Sequence, residues 1–503
     1  MPSLSRVATF TLLIMIVTKL LNIVRDGFLA YNFGTSETID AYVVSTSVPA
    51  IFLGIVIIGF SQAYIPCYMY IAPEKREYFF CNTMTILFLF SCISGGVCWA
   101  FSDLIVMIIA SNMDCEIMKL TSYFIKLTAM VFPFFSIYYV LAAHSQAMEK
   151  LLVQMVSHNV LVAGIAVIAA FFATNTNSEI LIYGDICAEI LAIVVLGGYL
   201  YQKGYINYSF RFNLYDSEFI KLYKMAVPLG ACLLIDRINV VIDRWFASGF
   251  GEGFISALNY ADKIQYIPFS VSVAIVLSTC FPRISKEFSE GNNDSAVYYV
   301  RKAMGMSLYV GIPIAIWLYA HPEIFVNLFY SRGSFLEQST YITSLCLSGY
   351  SFGVVFYSLR EIASRVLSAK LLQKCILYNT LLAVFLNILL NYSLTCVLGF
   401  EGIAISTSLT GLVTFITMMC TLYVKKIYVI DSVVIKDAAK ILVISLSTII
   451  IWLLMEELIG TAEVLEDVFV RIVIIVVLYI LMSFFSRIDI FIWSFNRIKQ
   501  LII

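Results

Sequence analysis

The chain has 503 residues, 61% of them hydrophobic and 13% charged, and its 32 Lys and Arg nearly cancel its 33 Asp and Glu. With a mean hydropathy of +0.91, against the roughly 25% charge of soluble domains, it is excluded from the soluble globular class. The near-zero net charge gives no reason to expect a nucleic-acid partner.

Apolar runs of about 20 residues, each able to cross a roughly 30 Å hydrocarbon layer as a helix, recur along the whole length. About fourteen are expected, centred near residues 18, 53, 90, 132, 162, 190, 235, 268, 309, 353, 384, 412, 447 and 479. The fold class is therefore an all-α polytopic membrane protein. The first run is too long for a signal-peptide core and has no A-x-A cleavage pattern, so it counts as a span. It carries Thr18, Lys19, Asn22, Arg25 and Asp26. At about 100° per residue these fall in one polar stripe some 120° wide. Punctuation such as "APEKRE" at 72–77 and "SEGNND" at 289–294 separates later spans.

In the fourth span Lys126 reads as a surface anchor. The seventh repeats the stripe with Asp236, Arg237, Asn239, Asp243 and Arg244. The eighth opens "SALNYADKIQYIPF" and places Asp262 and Lys263 in its first turns. Arg360, Glu361 and Arg365 occupy the tenth, and Arg471 starts the fourteenth. A charge near mid-bilayer costs on the order of 2.5–3.5 kcal/mol by insertion scales, so such groups face protein or a wet cavity. Two stripes predict a hydrated cavity between two lobes. The competing reading is mutual neutralisation, as Lys19–Asp26 and Arg237–Asp236, with Arg244 snorkelling outward. Lys19, Arg25, Arg237, Lys263 and Arg360 make the expected cavity cationic, which suits a phosphate or pyrophosphate head group. Asn22, Asn239, Asp262 and Arg360 are supporting or coupling candidates, and an ion gradient or the membrane potential could act on Asp26, Asp243 or Asp262.

With fourteen spans the loops alternate. About 22 of the 32 Lys and Arg fall on the side of the termini, against about two, Lys119 and Arg332, on the other. Both termini are thus expected in the cytoplasm. The twelve cysteines stand singly, as packing residues rather than disulfides or metal ligands. The three histidines have no metal-ligand spacing, and no phosphate-cradling Gly-rich loop occurs. Neither cofactor nor metal is expected, and the chain reads as a transporter, not an enzyme.

"NIVRDGFLAYNFG" at 22–34 returns as "NVVIDRWFASGFG" at 239–251, an offset of 217. "EKLLVQMVSHN" at 149–159 echoes "AKLLQKCILYN" at 369–379. Six spans separate the copies, so the halves share one orientation, a parallel repeat of the kind found in alternating-access transporters. The expected organisation is an N-lobe at 1–205, a C-lobe at 206–426 and a final pair of spans at 427–503.

"LLNIVRDGFLAYNFGTSETIDAYVVSTSVPAIF" followed by "GFSQAYIP" resembles the opening of the lipid II flippases, the MurJ or MviN family of the MOP exporter superfamily. "DRINVVIDRWFASGFGEGFISALNYADKIQYIP", "LFYSRGSF" and "GFEGIAISTSL" are similar to its later elements. The resemblance implies two six-helix lobes plus a C-terminal pair forming a groove for a lipid tail. It implies outward flipping of an undecaprenyl-pyrophosphate-linked peptidoglycan precursor in the bacterial inner membrane, with cell-wall synthesis proteins as conceivable partners. Carried over, Arg25 and Asp26 match the family's first-span pair and Asp40 its second-span aspartate. Lys19 and Lys263 stand where arginines are usual, keeping charge but not the bidentate fork. The family's arginine pair after the second-span proline is replaced by Phe52, Leu53 and Gly54. Another lipid-linked oligosaccharide, of the O-unit or capsule type, is therefore an alternative substrate. A multidrug-type exporter and a membrane glycosyltransferase or ligase are the other readings, the last lacking outer loops equipped for catalysis.

Overall fold

The computed structural model describes residues 4–52, 59–370, 372–459 and 465–502. It is 86% helix, with no strand among the described residues. The chain forms two compact units: Met1–Ala257 with Phe329–Ser339, and Leu258–Leu328 with Thr340–Ile503.

The first unit opens with α1 (Leu4–Phe33), whose 30 residues give about 45 Å of helix. It continues through α2 (Glu37–Phe52), α3 (Gly59–Tyr70), α4 (Pro73–Ala100), α5 (Ser102–Ile109), α6 (Cys115–Ala129) and α7 (Phe132–Ala147). Next come α8 (Leu151–Met155) and α9 (Leu161–Phe172), joined through a π-helical turn at Val156–Val160, and then α10 (Ile180–Gln202) and α11 (Ser217–Ala247). The helix α12 (Phe254–Thr279) starts in this unit and runs into the second. There follow α13 (Phe281–Ser289), α14 (Asn293–Ala320), α15 (Pro322–Phe329), α16 (Glu337–Ala369), α17 (Gln373–Leu398) and α18 (Glu401–Val424). The chain ends in α19 (Ser432–Ile459), α20 (Leu465–Phe485) and α21 (Asp489–Ile502).

Nine helices among the described residues are long and apolar enough to span a membrane, or ten if α6 and α7, bent by 42°, form one broken span. The bend falls where Pro133 opens α7 and donates no backbone hydrogen bond. The expected second span is centred on 53, outside the described residues. Apolar side chains face outward in rows: on α20, Phe469, Val473, Ile480 and Phe484 are all exposed. A soluble protein does not sustain such a surface, whereas in lipid it is the solvated face.

Local signals explain the ends. Asp216 caps α11, its Oδ2 accepting the amides of Glu218 and Phe219 at 3.1 and 2.9 Å. α4 begins on Pro73, whose missing N–H costs nothing at a first turn. The repeated stretch makes two helices of 30 and 31 residues, each followed by a positive-φ glycine, Gly34 or Gly251.

In the first unit, Tyr64, Phe79, Phe80, Tyr138 and Leu196 belong to one buried apolar cluster. His144 sits against it with both ring nitrogens engaged, Nδ1 with the Tyr64 hydroxyl at 3.0 Å and Nε2 with the Tyr205 carbonyl at 3.1 Å. It is a satisfied core histidine. In the second unit, Val300, Met304, Ile362 and Ile441 form the corresponding core. There the final helices dock on α14: Trp317 Nε1 donates to Thr448 Oγ1 at 3.1 Å, and the Tyr479 hydroxyl to the Tyr309 carbonyl at 2.8 Å. Asp437 caps α21 through the amides of Asp489 and Ile490, and buried Lys302 pairs with Asp489.

Candidate substrate site

The polar stripe of α1 exists as a graded series. Lys19 is exposed, Asn22 and Arg25 are half-buried, and Asp26 is buried. Arg25 donates from both Nε and Nη2 to a single oxygen, Asp26 Oδ1, at 3.1 and 2.9 Å. Neighbouring positions on a helix point about 100° apart, so this pair needs the reach of the long arginine side chain. Arg25 also lies within electrostatic reach of Tyr42 on α2 and Asp185 on α10, and the Tyr42 hydroxyl donates to Asp185 Oδ2 at 3.4 Å. Carboxylates from α1 and α10 and a phenol from α2 thus surround one guanidinium.

On α11 Arg237 is exposed, Asn239 half-buried and Asp243 buried. Asn239 Oδ1 is enclosed and accepts no hydrogen bond among the described residues. Arg244 Nη1 donates to the Val43 carbonyl at 3.0 Å, which fastens α11 to α2. The side chain of Asp236 lies outside the described residues, as do Leu53 and Gly54.

Asp40 has a different occupation. It is 2% exposed, and its two oxygens accept the amides of Gly253 and Ser256, each at 2.7 Å. Gly253 immediately precedes α12 and has no side chain with which to cap it, so Asp40 of α2 supplies the cap from another helix. Gly253 cannot be replaced by a capping residue: its φ is +81°, and a Cβ would lie 2.4 Å from the Thr35 carbonyl oxygen. Gly34, with φ +57°, is closed in the same way by the Ser334 carbonyl.

In the second unit Lys263 is half-buried and Asp262 exposed. Gln265 Nε2 donates to Asp262 Oδ1 at 2.9 Å. Asp262, Gln265, Tyr266 and Phe269 line a cavity of about 190 Å³ with Val354, Tyr357 and Thr407. Arg360 is a cross-brace: Nε donates to Asn379 Oδ1 at 3.1 Å and Nη2 to Thr380 Oγ1 at 3.5 Å, tying α16 to α17. Asn379 continues the seam to α18 through the Thr414 carbonyl and Thr417 Oγ1.

Lys19, Arg25, Asp26, Asp40, Arg237 and Asp243 belong to the first unit, and Lys263, Asp262 and Arg360 to the second. Sequence reasoning passed over Asp185 and Glu189, two acids one turn apart in the apolar run "YGDICAEIL". It also passed over the asparagines of α17 at 379, 387 and 391. No group of three or more His, Cys, Asp or Glu able to hold a metal ion occurs among the described residues.

The profile of the family described as "Lipid II flippase MurJ" matches residues 29–474. A probable lipid II flippase MurJ of Aquifex aeolicus (strain VF5) is 26% identical over 441 residues, covering 84% of each chain. One of Rickettsia prowazekii (strain Madrid E) is 24% identical over 403 residues, 78% of this chain and 79% of the other. Among solved structures, a lipid II flippase MurJ in an inward closed conformation superposes with a TM-score of 0.82 at 21% identity, covering 95% of this chain and 99% of that one. An inward-facing multidrug resistance MATE transporter of the MOP superfamily superposes at 0.67 with 13% identity, over 81% and 95%. These two likenesses speak for the fold alone, a polytopic helical membrane fold. The sequence match spans far more than half of the chain, and on that ground the chain belongs to the lipid II flippase MurJ family.

Proposed function

We propose that this protein flips lipid II, an undecaprenyl-pyrophosphate-linked precursor of peptidoglycan, from the inner to the outer leaflet of a bacterial cytoplasmic membrane. The observation that carries the reading is a half-buried guanidinium, Arg25, in the apolar helix α1 of a chain that belongs to this family. Lys19, Arg25, Asp26, Arg237 and Asp243 are the first unit's head-group candidates, and Lys263 is the second unit's. Asp40 contributes by holding α12 in place. The finer architecture of the reading is fourteen spans, two six-helix lobes with alternating access, a final helix pair serving the lipid tail, and both termini in the cytoplasm.

The physical logic is economical. The polyprenyl tail never leaves hydrocarbon, so the barrier is the desolvation of the charged head, which cationic side chains offset. Cell-wall synthesis proteins would supply and consume such a substrate.

A flippase for another lipid-linked oligosaccharide is the second reading, favoured by Phe52, Leu53 and Gly54 standing where the family carries arginines. The decisive experiment depletes the protein and identifies the polyprenyl-linked intermediate that accumulates on the cytoplasmic side. Lipid II is the expected result; a different glycan moves the assignment to that glycan.

A further inference from the structure

One polar cluster of the first unit is not absorbed by head-group binding. Glu189 of α10 is 2% exposed. Its Oε1 lies 3.7 Å from His158 Nδ1, while Oε2 and that same Nδ1 make no hydrogen bond among the described residues. His158 sits in the π-helical turn, a local insertion of the kind that recurs at functional sites because it redirects side chains. Tyr138 of α7 stacks on its ring, centroids 4.6 Å apart at 20°.

Asp185 stands one turn before Glu189 on the same helix face and within electrostatic reach of both Glu189 and Arg25. The other charged or titratable groups around this chain of contacts are Asp26 on α1, Tyr42 on α2, Tyr139 on α7 and Arg237 on α11. α9 carries no titratable residue, and Lys126 of α6 forms no ion pair among the described residues. Asp26 and Asp185 thus share the neighbourhood of one half-buried guanidinium, and Glu189 is coupled to it through Asp185. Ionisable groups linked in this way exchange protons as a coupled set.

We propose that Glu189 and His158 form a proton-binding site, and that through Asp185 this site is linked to Arg25, so that an anionic head group engages Arg25 together with uptake of a proton. The second half rests on the flippase reading. The step balances simply: a proton from water forms an O–H bond on the Glu189 carboxylate when the anion arrives, and returns to water when the anion leaves. An ionised Glu189 strengthens the local negative field that competes for Arg25; a protonated one releases it. A proton rather than a metal ion fits, since one acid and one imidazole meet here and no metal-binding group of three occurs among the described residues.

Two measurements on the full-length protein in detergent test this. Infrared pH titration of the free protein is expected to show the carbonyl band of a protonated carboxylic acid that Glu189→Gln lacks and whose midpoint His158→Gln shifts. Absence of that band, or its persistence in Glu189→Gln, overturns the proton site without reference to any ligand. Binding of farnesyl pyrophosphate in weak buffer with a pH-indicating dye is expected to take up about one proton. Its affinity should fall about tenfold per pH unit above the midpoint, both effects vanishing in Glu189→Gln. Binding without proton uptake in the wild type overturns the linkage. No binding, in a protein that keeps the infrared band, overturns instead the head-group role of Arg25. Should Glu189→Gln fail to fold, the wild-type proton count and the His158→Gln shift still decide.

Discussion

Replacing Asp40 by alanine separates a structural from a ligand-binding role for this residue. The carboxylate is 2% exposed and accepts two backbone amides at 2.7 Å, Gly253 and Ser256. Removing it strands two buried donors, each worth about 1–3 kcal/mol when unsatisfied. Relief from burying the charge itself offsets part of this, so a loss of about 2–4 kcal/mol is expected. Asp40→Asn keeps one acceptor and turns its amide nitrogen toward the other N–H, so it should lose about half as much. Ser256→Ala, which forfeits the hydroxyl bond to the Gly253 carbonyl at 3.0 Å and the hydroxyl's support of the Asp40 carboxylate, should lose about 0.5–1.5 kcal/mol. Detergent-based equilibrium unfolding, followed by far-UV circular dichroism, reads all three. An Asp40→Ala protein within about 0.5 kcal/mol of wild type that nevertheless binds farnesyl pyrophosphate poorly would refute the capping argument and return Asp40 to the head-group site.

Gly253→Ala should destabilise by about 1–3 kcal/mol in the same assay, since φ is +81° and the new methyl would meet the Thr35 carbonyl oxygen at 2.4 Å; a stabilised variant would count against the geometry. Arg360→Ala should loosen α16 from α17 and cost about 1–3 kcal/mol, because Asn379 Oδ1 and Thr380 Oγ1 lose their donors, while leaving the affinity for farnesyl pyrophosphate unchanged. Arg25→Ala is expected to insert normally and fail to support growth in a complementation test, and normal growth would remove Arg25 from the transport path.

The charges inside apolar helices were readable because each is expensive in hydrocarbon, so their presence demanded an explanation that packing alone rarely supplies. What each charge does was readable only in part. The neutralisation reading pairs Asp26 with Lys19, whereas its Oδ1 accepts from the adjacent Arg25. Asp40 is 213 positions from Gly253 in the chain, and no periodicity announces a cap supplied by another helix. The acids of α10 carried a visible signal, the i,i+4 spacing of Asp185 and Glu189, but a search for cations in the membrane does not look for it. Hydropathy sees about fourteen apolar centres because it registers greasiness. It is blind to the break at Met130 and Val131 that bends α6 against α7, and to the π-helical turn that places His158 beside Glu189.

Where its bonds go distinguishes a structural charge, tied to another element, from a working one. Asp40 spends both oxygens on backbone amides, Arg360 braces two side chains of the next helix, and Lys302 is held by Asp489 between the rings of Tyr298 and Trp493. Arg25 differs. A guanidinium has five N–H donors; two go to the same Asp26 oxygen, and the remaining three make no hydrogen bond among the described residues. Its side chain is 27% exposed, so those donors are presented rather than buried. A planar fork with donors in reserve, oriented by a neighbouring carboxylate, is what bidentate recognition of a phosphate requires. Lysine at this position would keep the charge and lose the fork. Arg25→Lys should therefore bind farnesyl pyrophosphate more weakly than wild type at every pH, and an unchanged affinity would mean that charge alone, not the geometry of the donors, selects the head group.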